Sequence, residues 1–124
     1  MWDNAYCVHY LSDTPDTLLN LYEECVKCGT EDQVLFFSST SKISFPGAGV
    51  AALGVSPGNL ESLKKRSMTQ TIGPDKLNQL RHIRFLHDFD GVLELMQGHK
   101  AILAPKFRLV TDSMEAELGD LGIA

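Results

Sequence analysis

The sequence predicts an α/β fold in which a βαβ unit with a mixed sheet is followed by helices. Three observations support this prediction. An amphipathic segment lies between an extended N-terminus and a short apolar run, a second apolar run follows the first closely, and the pattern is helical from Asp75 onward. We therefore expect residues 1–88 to form a unit that contains the sheet, and residues 89–124 to form a long helix.

The N-terminal elements are predicted from capping residues and apolar spacing. Trp2 and Asp3 are expected at the end of an extended segment. Thr14 is predicted to cap a helix that starts at Pro15 and ends at Gly29. The apolar residues of this helix recur at helical spacing and consist of Leu18, Leu21, Tyr22, Cys25 and Val26. This helix is expected to pack on the strand that follows it.

Two apolar runs predict neighbouring strands. The first, "QVLFF" from Gln33 to Phe37, is rich in β-branched and aromatic residues and is typical of a buried strand. The second, "AGVAALGV" from Ala48 to Val55, follows closely enough to pair with it in antiparallel orientation. Together with the extended N-terminus and the intervening helix, the first run completes a βαβ crossover.

The remaining sequence predicts three helices. Either Ser56 or Asn59 is expected to begin the first, and Asp75 is well placed at the positive N-terminal end of the second. Phe89 to Leu118 has a long helical pattern, which Pro105 is predicted to kink or break because its ring clashes with the preceding turn. No repeat or low-complexity linker interrupts these segments.

Composition excludes several classes of function. The chain has 124 residues and a net charge of −5, which predicts one globular domain and argues against nucleic-acid binding. No apolar run approaches a membrane span and no secretory leader is visible, so a cytoplasmic protein is expected. Three cysteines suit a reducing compartment. No metal site is predicted, since the Cys25–Cys28 pair would need two more ligands for zinc, and His82, His87 and His99 have no metal-ligand spacing. Packing or surface roles are expected for these residues.

One lysine stands apart from other charges. Lys42 lies in "FFSSTSKISFPGAGVAALG" and is the only charged residue between Asp32 and Glu61. Burying an ammonium is costly and favours the neutral amine, which can condense with a carbonyl. The residues alone also allow a lysine whose charged end extends from a loop into solvent. At this point both interpretations remain open.

Five short motifs together carry a family resemblance. They are "DNAY" at Asp3 to Tyr6, "SSTSK" ending at Lys42, 39 positions after Asp3, and the later segments "SKISFPGAGVAALG", "TIGPDKLNQLRHIRFL" and "HKAILAPKF". In this order they resemble the fold type I pyridoxal-phosphate (PLP) enzymes, and in particular the class I aminotransferases. The similarity is closest to the aspartate aminotransferase-like subgroup Ic, which also resembles the MocR regulators.

The resemblance implies PLP as cofactor and a role for each of five residues. Lys42 would hold the cofactor as an internal aldimine and then move the proton at the substrate Cα. Asp3 would face the pyridine nitrogen and keep it protonated, and Tyr6 would donate a hydrogen bond to the ring oxygen. Ser39 and Ser41 would bind the phosphate, with Gly47 and Gly49 allowing close approach of the backbone. This chain departs from the wider family in having no arginine after the "PG" at Pro46 and Gly47, where that family has a phosphate-binding arginine.

The resemblance also implies an architecture and partners. Residues 1–88 would be the C-terminal part of a PLP-binding large domain, and residues 89–124 a long kinked helix at the start of the small domain. The chain is therefore expected to be a fragment of a homodimeric aminotransferase that acts on an amino acid and a 2-oxo acid, and to be inactive alone. Another PLP-dependent enzyme and a MocR-type PLP-binding regulatory domain are the alternatives.

Overall fold

The computed structural model describes residues 1–122, and positions 123 and 124 of the predicted second segment lie outside the described residues. In chain order its strands and helices are β1 (Trp2–Asp3), α1 (Leu21–Lys27), β2 (Phe36–Ser39), β3 (Ala51–Gly54), α2 (Pro57–Thr71), α3 (Lys76–Leu86) and α4 (Phe89–Leu118). Short 3₁₀ turns occupy Glu31–Gln33 and Gly119–Leu121. The predicted α/β fold is confirmed.

The sheet has the order β1-β2-β3, with β1 parallel and β3 antiparallel to β2. Asp3 is paired with Phe37, and the amide of Asn4 donates to the Phe37 carbonyl at 2.7 Å. Since α1 connects the two parallel strands, the predicted βαβ unit is present. The carboxyl ends of β1 and β2 consequently lie at the same edge of the sheet.

The strands are shorter than the apolar runs that predicted them. β2 begins at Phe36 instead of Gln33, which lies in the 3₁₀ turn, and it continues through Ser38 to Ser39. Its pairing with β3 sets this range, because Ala51 to Gly54 are the residues opposite Ser39 to Phe36. Apolar character thus identified the strands, whereas backbone pairing decided their ends.

The predicted start of α1 is wrong. The helix begins at Leu21 after Asn20, whose side chain accepts a hydrogen bond from the Glu23 amide, and not at Thr14 and Pro15. Leu18 and its neighbour Leu19 are each more than 60% exposed, so no packing stabilises an earlier turn. Gly29 follows the helix with φ of +66°, as expected for a residue that ends one.

Capping residues predicted the later helices correctly. Ser56, rather than Asn59, caps α2, and its hydroxyl is fully buried and donates to the Asp32 carboxylate. Asp75 caps α3 by accepting from the Asn78 amide at 3.0 Å. In each case a short polar side chain satisfies an amide that the first helical turn leaves unpaired.

Of the predicted kink or break at Pro105, the break is excluded, because α4 is continuous across this residue. The start of this helix packs tightly on the end of α3, because a Cβ at Gly91 would lie 1.9 Å from the Leu86 carbonyl oxygen. Glycine is therefore required at that position. Among residues 1–122, none of the helices is long and apolar enough to cross a membrane.

The core is small and the surface is large. Val8, Ile43 and Met96 form the buried cluster, each at most 9% exposed. The accessible surface is 9915 Å², whereas a compact monomer of this length exposes about 6,600 Å². Many large apolar side chains are more than half exposed, including Ile102 and Phe107 on α4. The chain therefore has far more apolar surface than its own core can cover.

We predict that the purified 124-residue chain self-associates and binds a hydrophobic dye. The exposed face of α4 and the two sheet edges at β1 and β3 have no neighbours within the described residues. Light scattering coupled to size exclusion and dye fluorescence would measure both properties. A monodisperse monomer without dye binding would contradict the prediction.

Candidate functional site

Residues 40–44 form a tight turn, called the lysine turn, that directly follows β2. The amides of Ile43 and Ser44 both donate to the Thr40 carbonyl, at 3.0 and 2.8 Å. Thr40 is also tied to the returning chain, since its amide donates to the Val50 carbonyl and its hydroxyl accepts from the Val50 amide, both at 2.8 Å. The turn is thus held by backbone hydrogen bonds at both of its ends.

Lys42 occupies the middle of the lysine turn. The neighbouring Ile43 side chain is buried against Val8 and Met96, which anchors the turn to α4. Of the two interpretations that the sequence left open, the structure agrees with the lysine that extends into solvent, because the Lys42 side chain is exposed. Ile43, and not Lys42, occupies the core position of the lysine turn. The Lys42 Nζ lies 6.0 Å from the centre of the Tyr6 ring, at the outer range of a cation–π contact.

Asp3 and Tyr6 come to the same edge from β1. Asp3 ends that strand, and its carboxylate accepts a hydrogen bond from the Ala5 amide at 3.1 Å, which turns the chain. Tyr6 follows and is exposed, with its ring between Lys42 and His9. The parallel pairing of β1 with β2 therefore brings the carboxylate, the phenol and the lysine to one edge of the sheet.

Ser39 and Ser41 flank the point where β2 becomes the lysine turn. Ser39 is the last residue of β2 and pairs with Ala51, and both serines are half-buried. A Cβ at Gly49 would lie 2.8 Å from the Ser41 hydroxyl oxygen and 3.1 Å from its amide nitrogen. Glycine at this position lets the returning chain approach the Ser41 backbone closely.

Two polar residues of α3 also reach this region, and the sequence reasoning did not assign them to it. The Nε2 atom of His82 lies 2.7 Å from the Ser44 hydroxyl and 3.0 Å from the Thr40 hydroxyl. The Asn78 side chain donates to the Gly49 carbonyl at 3.0 Å. Their spacing of four residues places them on one helix face, and this was the available signal. Nothing in the sequence showed which loop that face would meet.

His9 is the titratable group whose pKa is most clearly changed near this edge. Its Nε2 atom is buried and has no hydrogen-bond partner within residues 1–122. Burial lowers the pKa of His9 below its ordinary value of 6.5, and the positive charge of His99 lowers it further. His9 is therefore neutral at pH 7 and packs as an aromatic ring, 5.4 Å from that of Tyr6.

Sequence comparison establishes the family. Residues 1–124 match the aspartate amino-transferase family along the whole chain, and the chain belongs to that family. It is 37% identical to an aspartate aminotransferase of Corynebacterium glutamicum, over all 124 residues and 29% of that protein. A relative from Mycolicibacterium smegmatis, whose name gives the aminotransferase class and no substrate, is 47% identical over the same share of each chain.

Solved structures agree with this assignment. The chain resembles an aspartate transaminase of Corynebacterium glutamicum with a TM-score of 0.91 and 37% identity, over 98% of this chain and 29% of that one. A crystal structure from Corynebacterium diphtheriae, whose name gives the aminotransferase class and no substrate, has the same TM-score of 0.91 and 39% identity, over 98% of this chain and 30% of that one. The chain thus spans about 29% of the length of the curated relatives it matches.

We predict that NMR titration of the His9 ring gives a pKa below 6.5. Because the unfolded chain then binds a proton more readily than the folded one, stability falls as the pH drops from 6.5 toward the folded value. His99→Gln removes the nearby positive charge, which lowers the pKa of His9 less than burial does. This substitution should therefore raise the pKa of His9 without restoring the ordinary value. An apparent pKa at or above 6.5 in the unsubstituted protein would refute this.

Proposed function

We propose that this chain is the segment of a PLP-dependent aminotransferase that carries the cofactor lysine. The complete enzyme would transfer an amino group between an amino acid and a 2-oxo acid. The observation that carries the proposal is the meeting of Asp3, Tyr6 and Lys42 at one sheet edge in a chain of this family. The motif "SKISFPGAGVAALG" supports the subgroup Ic assignment.

The groups present at this edge fit the cofactor chemically. They comprise one amine, one carboxylate, one phenol and two hydroxyls, and the close approach of Gly49 to Ser41 leaves backbone near the serine hydroxyls. When bound, PLP supplies an aldehyde for covalent attachment and a ring that accepts the electrons of the broken Cα–H bond. An exposed Lys42 is accessible for that attachment.

Each residue would then have a distinct task. The Lys42 amine would hold the cofactor covalently and, once displaced by the substrate amine, would accept the proton from the substrate Cα and deliver it to the carbon that was the cofactor aldehyde. Asp3 keeps a proton on the ring nitrogen, because a carboxylate stabilises the charged form of a neighbouring base. Tyr6 donates to the ring oxygen, and the Ser39 and Ser41 hydroxyls bind the phosphate.

The large accessible surface supports a longer parent protein. The 9915 Å² of surface and the exposed apolar residues require covering that the described residues do not supply. The rest of the polypeptide and a second subunit of a homodimer would provide it. We also propose that the large domain ends at residue 88, directly before α4, and that the isolated 124 residues do not catalyse amino transfer because the complete site needs residues from the rest of the parent.

We predict that Lys42 is the residue that bonds to the cofactor in the full-length protein. Borohydride reduction followed by peptide mass mapping should place the pyridoxyl group on Lys42, and Lys42→Ala should abolish turnover with aspartate and a 2-oxo acid. Lys65→Ala, on the exposed surface of α2, is the matched control and should leave activity unchanged. Label on a different lysine would refute the assignment.

We predict that Asp3→Asn lowers kcat of the full-length enzyme on the order of a hundredfold or more, because the amide no longer holds a proton on the ring nitrogen. The asparagine oxygen can still accept from the Ala5 amide, so the local turn is kept. Asp16→Asn is the control, since Asp16 is an exposed carboxylate in a cleft that Asp3 and Tyr6 also line, and no role is proposed for it. Steady-state kinetics would measure both, and an unchanged kcat for Asp3→Asn would contradict the role of Asp3.

A further inference from the structure

The His82 ring has a defined orientation in the structure. Its Nδ1 atom lies 2.9 Å from the Asn78 carbonyl oxygen, which can only accept a hydrogen bond. Nδ1 must therefore carry a proton and donate it. In the neutral ring Nε2 is then the acceptor, and two hydroxyls face it, that of Ser44 at 2.7 Å and that of Thr40 at 3.0 Å. The single proton of the Ser44 hydroxyl can go to Nε2 or to the Thr40 carbonyl, whereas the Thr40 hydroxyl accepts from the Val50 amide and keeps its proton for Nε2. The backbone of α3 consequently fixes which nitrogen faces the lysine turn.

The two hydroxyls that His82 meets are the two ends of the lysine turn. Thr40 lies two positions before Lys42 and Ser44 two positions after it. The Ser44 hydroxyl is also 3.1 Å from the Thr40 carbonyl, the atom that closes the turn. The imidazole therefore bridges the entry and the exit of the turn from a helix about 40 residues away in sequence.

Asn78 adds a second tie from the same helix. Its side chain donates to the Gly49 carbonyl, and its own carbonyl accepts from His82. Helix α3 thus contacts both the lysine turn and the returning chain that packs on Ser41. These bonds are half-buried, where they are stronger than in full solvent.

The Lys42 side chain has little else to orient it. Its Nζ atom makes no hydrogen bond within the described residues and only a distant contact with the Tyr6 ring. The direction of the amine therefore depends on the backbone of residues 40–44. A catalytic group displaced by about 1 Å can lose on the order of a hundredfold in rate.

We propose that His82 is a positioning residue that sets the geometry of Lys42 by bridging Thr40 and Ser44. This inference rests on the proposed function. Helix α3 then contributes to catalysis although none of its residues contacts the substrate. His82 acts through the turn, so it affects the chemical step and leaves substrate binding almost unchanged.

Three substitutions in the full-length protein separate the possibilities. His82→Leu removes both ring nitrogens, His82→Gln keeps an acceptor near the position of Nε2, and His82→Asn keeps a polar group only near Nδ1. We expect His82→Leu to lower kcat on the order of a hundredfold with KM within about twofold. His82→Gln should recover most of the loss and His82→Asn little of it.

A readout without cofactor tests the same bridge. Hydrogen exchange of the amides of Ile43, Ser44 and Val50 in the cofactor-free protein should be faster in His82→Leu than in the unsubstituted protein or in His82→Gln. Ser44→Ala combined with His82→Leu should be less than additive in kcat, since the two changes break the same bond. Arg84→Leu, an exposed change on the same helix, is the control and should alter neither measurement.

The outcomes distinguish the inference from the proposed function. Suppose that the unsubstituted enzyme is active and carries the pyridoxyl label on Lys42, but that His82→Leu has the same kcat and the same amide hydrogen exchange. The positioning role of His82 is then refuted and the proposed function stands. A fall in kcat that His82→Gln does not recover, with unchanged exchange, also refutes it. If Lys42 of the unsubstituted enzyme takes no label, the proposed function fails and the inference fails with it.

Discussion

The parallel pairing of β1 with β2 is the interaction on which the site depends. It consists of only two paired positions, with amide hydrogen bonds from Trp2 to Leu35 at 2.8 Å and from Asn4 to Phe37 at 2.7 Å. Because parallel strands end at the same edge, this pairing determines that Asp3 and Lys42, 39 positions apart in sequence, share that edge. Antiparallel pairing would place them at opposite ends of the sheet.

The lysine turn is stabilised by its own backbone hydrogen bonds and by contacts from several other elements. Ile43 packs in the core with Val8 and Met96, and Val50 supplies hydrogen bonds from the returning chain. His82 reaches it from α3. The position of one reactive side chain thus depends on tertiary contacts from elements far apart in sequence. Such an arrangement is typical of a preorganised site on a scaffold that is otherwise only partly packed.

Local chemistry explains what the sequence could predict. The starts of α2 and α3 were predictable to within a few residues, because Ser56 was one of two candidate first residues and the negative charge of Asp75 suits a helix N-terminus. The start of α1 was missed because Thr14 and Pro15 have the right local signals, whereas the exposed Leu18 has no partner to stabilise a turn there. Helix starts therefore depend on packing that a sequence does not display.

In the candidate site, too, some features were predictable from the sequence and others depend on tertiary contacts. Asp3, Tyr6 and Lys42 were found from motif order, and their common edge follows from strand direction. The exposure of Lys42 and the contact of His82 with the lysine turn were not predictable, since both depend on how α3 and the core meet residues 40–44. The four-residue spacing of Asn78 and His82 indicates a shared helix face, but it does not indicate that this face meets a turn 38 residues away from His82.

A crystal structure of the full-length protein with PLP would test the central claim most directly. We expect continuous electron density from the Lys42 Nζ to the cofactor, with the Asp3 carboxylate at the pyridine nitrogen and the Tyr6 hydroxyl at the ring oxygen. A cofactor bonded to another lysine, or one bound away from the edge formed by β1 and β2, would contradict the proposed site.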